Sequence, residues 1–159
     1  MNFNLIKKFI LVGFFVCMHI YRGSSRKTKS FKPESIHESD LHQFKDDLQV
    51  KKVVWATNNK QVTLCHGAFS RRVSYSVYTG RTGRDEVYST IMDLNWRKKL
   101  DIEAKFYLYT LDVNSFQELE NSRCEFVSTN ETKVVGVKEY KVKDIFGLVK
   151  VYELKKVEI

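Results

Sequence analysis

Cysteine and histidine are neighbours at positions 65 and 66, and together they could supply a nucleophile and its base. Such a pair works only when the thiol and the imidazole lie within hydrogen-bonding reach of each other. The surrounding residues "QVTLCH" predict a β-strand, in which successive side chains point to opposite faces. Cys65 and His66 would then lie on different faces, so this motif does not predict a cysteine hydrolase.

A second group of chemically capable residues is His37, Asp40 and His42, which could ligate a metal. The two histidines are five positions apart, which separates them by about 140° around a helix, unlike a metal-binding i, i+4 pair. The chain also lacks the C-x-x-C, H-E-x-x-H, G-x-S-x-G and phosphate-loop motifs. The sequence therefore predicts no metal and no cofactor. An enzyme without a local motif, such as a hydrolase, stays an alternative.

Five basic residues are the candidates for contacting an anion, for example an acidic glycan. They are Arg81, Arg84, Arg97, Lys98 and Lys99. Gly80 and Gly83 bracket the first two residues, but the GXXG loop that clamps nucleic acid joins helices, whereas these flanks predict strands. We interpret both glycines as turn residues and expect no nucleic-acid partner.

The apolar segment Phe9–Ile20 follows Lys7 and Lys8 and decides the expected compartment. A membrane-spanning helix needs about 20 apolar residues, whereas the hydrophobic region of a signal peptide has about 7–15. The small residues Gly23-Ser24-Ser25 predict cleavage after Ser25, which makes residues 1–25 a signal peptide. The expected location is extracellular or the lumen of the secretory pathway.

The basic residues after this segment oppose that interpretation, because Lys and Arg favour the cytoplasmic side of a membrane. They are Arg22, Arg26, Lys27, Lys29 and Lys32. A membrane-anchored protein that retains residues 9–20 therefore stays an alternative, as does a buried core helix. The net charge is +8, and removal of residues 1–25 would lower it to +5, which favours acidic partners modestly.

Export would leave Cys65 and Cys124 as the only cysteines, which predicts a disulfide between them. This disulfide would close a loop of about 60 residues and stabilise the fold by about 3–5 kcal/mol. Two buried free thiols are the alternative. Asn130 begins the one N-x-[ST] sequon and is the predicted glycosylation site.

Beyond the leader, we expect a flexible basic segment at residues 26–34 and a single β-rich domain at residues 35–159. The spacing of apolar residues predicts one short amphipathic helix over residues 34–48. Eight alternating or β-branched stretches follow: "VVWAT", "QVTLCH", "RVSYSVY", "EVYSTIMDL", "DIEAKFYLYTLDV", "RCEFVST", "KVVGVKEYKV" and "LVKVYELKKVEI". The predicted fold is mainly β, an antiparallel sandwich or barrel of about eight strands with one short N-terminal helix.

These features together predict a secreted, disulfide-stabilised β domain that acts as a non-enzymatic binding module. A barrel would enclose a small lipophilic ligand. A sandwich would use its loops or an exposed edge strand to bind an extracellular protein. The sequence leaves both partners open, and it implies contact with a membrane only if the leader is not cleaved.

Overall fold

The computed structural model describes residues 18–35, 52–80, 86–119 and 125–155. These residues form a mainly β structure with one large antiparallel sheet, which confirms the predicted fold class. The large sheet does not close on itself, so the barrel alternative is wrong. The predicted helix over residues 34–48 lies outside the described residues except at its start, where Glu34 and Ser35 form a strand.

The described strands, in chain order, are β1 (Ile20–Ser24), β2 (Ser30–Phe31), β3 (Glu34–Ser35), β4 (Lys52–Thr57), β5 (Tyr75–Tyr78), β6 (Tyr88–Ile91), β7 (Lys105–Leu111), β8 (Gln117–Glu118), β9 (Glu125–Ser128), β10 (Thr132–Lys141) and β11 (Lys150–Glu153). The helices are α1 (Lys60–Phe69), α2 (Trp96–Lys99) and α3 (Ile145–Leu148), with 3-10 turns at Val113–Ser115 and Val142–Asp144. Seven of the eight predicted strands are confirmed, as β4, β5, β6, β7, β9, β10 and β11.

The strands form two sheets of different size. In the large sheet the order is β2-β10-β7-β1-β4-β9-β8, and β3 also pairs with β4. In the small sheet the order is β11-β6-β5, with β11 parallel to β6. The main core joins α1 to β6 and to one face of β7, through residues such as Phe69, Ile91 and Phe106. A second core, which includes Ile20 and Tyr109, covers the opposite face of the large sheet.

Helix α1 replaces the strand that we predicted over "QVTLCH", so that prediction is wrong. The helix begins after Asn59, whose side-chain oxygen accepts hydrogen bonds from the backbone N–H groups of Gln61 and Val62 at 3.1 and 3.3 Å. This is the usual way in which asparagine satisfies the free N–H groups of a helix start. The buried residues Val62, Cys65 and Phe69 follow helical spacing. The short run "QVTLCH" also alternates between apolar and polar residues, and this alternation concealed the helical spacing.

The end of α1 depends on two arginines. Arg71 adopts a φ of 63°, a left-handed conformation that terminates helices. The Arg72 guanidinium then donates to the carbonyl oxygens of Gly67 and Ala68 at 3.2 and 2.9 Å, and to that of Lys105 at 2.8 Å. Arg72 therefore neutralises the carbonyl end of the helix and joins it to the start of β7.

Two glycines allow α1 to lie directly against β1. A Cβ atom at Gly23 would lie 2.7 Å from the backbone nitrogen of Gly67 and would also overlap the carbonyl oxygen of Thr63. A Cβ atom at Gly67 would lie 2.6 Å from the ring of Phe106. Because these neighbours are backbone atoms and a fully buried ring, they have little freedom to move away.

Strand β1 lies in the middle of the large sheet although its residues belong to the predicted leader. It pairs along its length with β7, from Ile20 opposite Leu111 to Ser24 opposite Tyr107, and its other edge contacts β4. The Arg22 guanidinium donates to the carbonyl oxygen of Trp55 at 3.0 Å and lies over the ring of Phe31. Cleavage after Ser25 would remove this strand and leave the facing edges of β4 and β7 without it.

The segment 26–34, which we predicted to be flexible, is held against the large sheet. The Tyr109 hydroxyl donates to the carbonyl oxygen of Arg26 at 2.9 Å and accepts from the backbone N–H of Thr28 at 2.8 Å. Strand β2 then pairs with the start of β10. One buried phenol therefore supplies both a donor and an acceptor to the segment.

We expect Gly23→Ala to lower the free energy of unfolding by about 1–3 kcal/mol, because the added methyl group overpacks the β1–α1 contact. Chemical denaturation monitored by circular dichroism measures this change. Gly147→Ala is the matched control, since a Cβ atom there meets nothing within 4 Å. Equal stability of the two variants would contradict the close contact.

We also expect the folded protein to retain Ile20–Ser24 in whichever compartment it is found, because β1 fills the middle of the sheet. Intact-mass measurement and N-terminal peptide sequencing, on protein from cells that express the full chain, locate its first residue. A folded species that begins at Arg26 would show that β1 is dispensable.

Candidate functional site

The structure places Cys65 and His66 in α1, where they do not form a catalytic pair. The Cys65 side chain is fully buried in the main core, and burial raises its pKa to about 12. The Nδ1 atom of His66 instead lies 2.5 Å from the hydroxyl of Tyr75. Desolvation lowers the pKa of His66, and the positive charge of Arg22 adds to this effect. The contact between His66 and Tyr75 joins α1 to β5.

The remaining residues of the predicted sites have separate locations. Cys65 is a free thiol in the structure, and Cys124 lies outside the described residues, so the disulfide stays a prediction. Asn130 is exposed in the turn between β9 and β10, where a glycan would project into solvent. His37, Asp40 and His42 lie outside the described residues, and the described part of the chain contains no cluster of metal-ligating side chains.

Only some of the predicted anion contacts fall in one place. Arg81 and Arg84 lie outside the described residues. Lys99 donates to the Asp93 carboxylate at 2.6 Å, and this ion pair compensates the charge of Lys99. Arg97 lines a groove between α2, α3 and the small sheet, and Lys98 is its exposed neighbour in α2.

The groove lies among the exposed apolar residues of the molecule. Ten large hydrophobic side chains are exposed in the described part of the chain, and eight of them lie on or beside the small sheet, α2 and α3. They are Tyr78, Met92, Leu94, Ile102, Phe146, Leu148, Tyr152 and Leu154. Such a concentration of exposed apolar surface marks interaction sites on soluble proteins.

The groove has a volume of about 300 Å³, which is at the lower limit for ligand sites. Its apolar wall is formed by Ile91, Trp96, Ile102, Phe146, Val151 and Tyr152, and its charged rim by Arg97, Lys143 and Glu153. A second depression of about 520 Å³ adjoins it and shares Arg97 and Glu153. Leu94, Asn95, Leu154 and Lys155 complete the second depression. We call the two together the Trp96 groove.

Trp96 organises the wall of this groove. Its ring centroid lies 5.7 Å from that of Phe146, and Phe146 in turn lies 6.5 Å from Phe69 in the core. Its indole Nε1–H donates to the Glu153 carboxylate at 3.0 Å, and Arg97 donates to the other oxygen of the same carboxylate at 2.8 Å. The Arg97 guanidinium also lies 4.9 Å from the centre of the Trp96 ring.

A second ion-pair network fixes the opposite rim. Glu103 accepts from Lys141 at 2.8 Å and from Lys143 at 2.6 Å. These two hydrogen bonds lower the pKa of the Glu103 carboxyl to about 2, so it is ionised at neutral pH. Lys143 is thereby held at the groove by its ion pair with Glu103.

Strand β11 gives the groove an exposed backbone edge. In the described part of the chain, no strand pairs with the side of β11 that faces away from β6. The Leu154 N–H donates to the carbonyl oxygen of Ile91 at 3.2 Å, so Leu154 faces β6. Since backbone groups alternate along a strand, those of Val151 and Glu153 face the open edge.

In comparisons with known proteins, no protein-family model, no curated protein and no solved structure matches the chain. Within the described residues, no helix has both the length and the apolarity that a membrane span requires. Sequence reasoning identified Arg97 but not Trp96, Phe146 or Glu153. The sole local signal was a tryptophan directly before three basic residues, in "NWRKK".

We expect Cys65 in the folded protein to react with iodoacetamide at pH 8 at least about 100-fold more slowly than in urea, because burial and a raised pKa suppress the thiolate. Mass spectrometry of the alkylated peptides, without reductant, measures the rate. We expect iodoacetamide to alkylate Cys65 completely in urea. If Cys65 and Cys124 react only after reduction, the predicted disulfide is present and the free thiol is not.

Proposed function

We propose that the chain is a non-enzymatic protein-binding module that receives an extended segment of a partner protein in the Trp96 groove. The observation that carries this proposal is the concentration of exposed apolar side chains around an open groove, beside a strand edge that none of the described strands covers. An exposed edge strand can accept a peptide as an additional strand, with backbone hydrogen bonds for affinity and pockets for specificity.

The shape of the groove favours a protein partner over a small lipophilic ligand. A ligand pocket typically buries 70–90% of a small molecule, and the open large sheet provides no interior of that kind. Ile102 and Phe146 are 46% and 40% exposed, so the groove is shallow. A shallow apolar strip with an aromatic anchor matches the buried centre of a protein interface, where Trp and Arg are enriched.

The charges around the groove favour a partner segment with acidic character. Arg97, Lys143 and Lys155 line it, whereas Glu153 is the one carboxylate among its lining residues. Cations at the rim of an interface increase the association rate with an acidic partner and select against basic ones. This preference agrees with the modestly basic composition of the whole chain.

We place the activity outside the cytoplasm on the strength of the apolar leader alone. The support is the n-region and hydrophobic region of residues 7–20. Cleavage after Ser25 would give an exported chain that lacks β1, and a leader that is not cleaved would keep β1 in the sheet and tether the module to a membrane. The binding surface is the same in both cases.

Selection from a displayed library of random eight-residue peptides tests the proposal. Peptides selected on the wild-type chain are expected to lose at least about tenfold in affinity for Phe146→Ala, because an aromatic anchor of the groove is removed. Val137→Ala, at an exposed residue of β10, is the matched control and should bind normally. Ile102→Ser provides a second groove variant if Phe146→Ala folds poorly.

Chemical-shift mapping of the same peptides locates the contact. We expect shifts at Val151–Leu154 and around Trp96. Selected peptides that bind Phe146→Ala as well as wild type, or that shift only β10, would contradict the proposal, as would a library that yields no binder.

A further inference from the structure

The Glu153 carboxylate is held by two donors that belong to the Trp96 groove. The Trp96 indole donates to Oε2 at 3.0 Å, and the Arg97 guanidinium donates to Oε1 at 2.8 Å. Each carboxylate oxygen therefore has its own donor, one neutral and one charged. A dedicated carboxylate site has the same arrangement. The charge-assisted hydrogen bond from Arg97 is stronger than a neutral one, and the second hydrogen bond, from Trp96, fixes the orientation of the carboxylate.

The two donors are positioned by contacts other than Glu153. The Trp96 side chain is almost fully buried, and its ring packs against Phe146. Arg97 lies over the face of the Trp96 ring, which restricts the guanidinium to the mouth of the groove. The donors would therefore keep their places if Glu153 moved away.

Glu153 itself is easily exchanged. It is the last residue of β11, its side chain is 39% exposed, and the Arg97 side chain is 71% exposed. An ion pair in this environment is screened by water and contributes little to stability. A carboxylate that also brings apolar contacts into the groove would compete with Glu153 effectively, because it adds burial of hydrophobic surface to the same hydrogen bonds.

We propose that Trp96 and Arg97 form a carboxylate receptor, which Glu153 occupies in the free protein and from which an acidic side chain of the partner displaces it. The inference rests on the proposed function and defines the partner segment more closely: it is extended, and it carries Asp or Glu next to an aromatic or aliphatic residue. Glu153 acts as an internal competitor that sets the affinity of the groove. Lys155 and Lys143, which also line the groove, favour the same charge.

Two small probes test the receptor, 3-phenylpropanoate and its neutral analogue 3-phenylpropanamide. Both offer a ring to the groove, but only the first offers a carboxylate. The readout is the indole N–H cross peak of Trp96 in the full ¹⁵N-labelled chain, where Trp96→Phe distinguishes it from the other tryptophan, Trp55. Glu153→Ala vacates the receptor, and Glu153→Gln provides a second variant with the length of the side chain preserved.

Removal of the internal carboxylate is expected to lower the Kd for 3-phenylpropanoate at least about tenfold and to leave that for the amide unchanged, because only the acid gains the charge-assisted bond. Adding Arg97→Gln to Glu153→Ala should cancel the gain. Lys98→Gln in the same background is the control, because it removes a neighbouring charge that does not contact Glu153, and the gain should persist.

The outcomes separate this inference from the proposed function. If both probes bind the groove equally and Glu153→Ala changes neither, the carboxylate receptor is refuted while the peptide-binding groove stands. The receptor is likewise refuted if Lys98→Gln cancels the gain as fully as Arg97→Gln does, because general charge then explains it. If neither probe shifts Trp96 in any variant, the receptor is refuted, and the peptide selection described above decides separately on the groove.

Discussion

The approach of α1 to β1 at Gly23 and Gly67 sets the geometry on which the rest of the molecule depends. Without side chains at these positions, the helix backbone lies against the strand backbone and Phe106 packs on Gly67. The far side of α1 then presents Phe69 to Phe146, and Phe146 supports Trp96. A contact at the centre of the large sheet is thus linked, ring by ring, to the wall of the Trp96 groove.

The central strand of the large sheet, β1, comes from the N-terminal part of the chain. Arg22 is satisfied there by the Trp55 carbonyl oxygen, the Phe31 ring and the Glu34 carboxylate. Tyr109 holds the following turn by one hydroxyl. Arg22, one of the basic residues that follow the apolar segment, therefore has a structural role in the sheet.

How far the sequence predicts the fold depends on the range over which each signal acts. Alternation identified β5 and β10 because the pattern is local and is repeated over several residues. It failed at residues 60–69, where Val62 and Leu64 mimic a strand although Asn59 caps the start of a helix. It also missed β2, β3 and β8, which have two residues each and form only because a longer strand lies beside them.

The Trp96 groove was less accessible to prediction than the fold. Its wall combines residues from β6, α2, α3 and β11, and no local pattern relates Ile91 to Phe146 or Trp96 to Glu153. The sequence identified Arg97 by its charge alone and gave no indication that Glu153 is its partner. The local motifs that drew attention first, Cys65-His66 above all, serve packing, because a helix directs the thiol into the core and the imidazole toward Tyr75.

The order in which the strands pair also constrains how the chain is made. Ile20–Ser24 emerges early from the ribosome, yet its partner along the full length of the strand is Lys105–Leu111, which is synthesised much later. Contacts between residues so distant in sequence form slowly, since a long loop must close first. The large sheet therefore cannot be completed on a nascent chain until most of it has been translated.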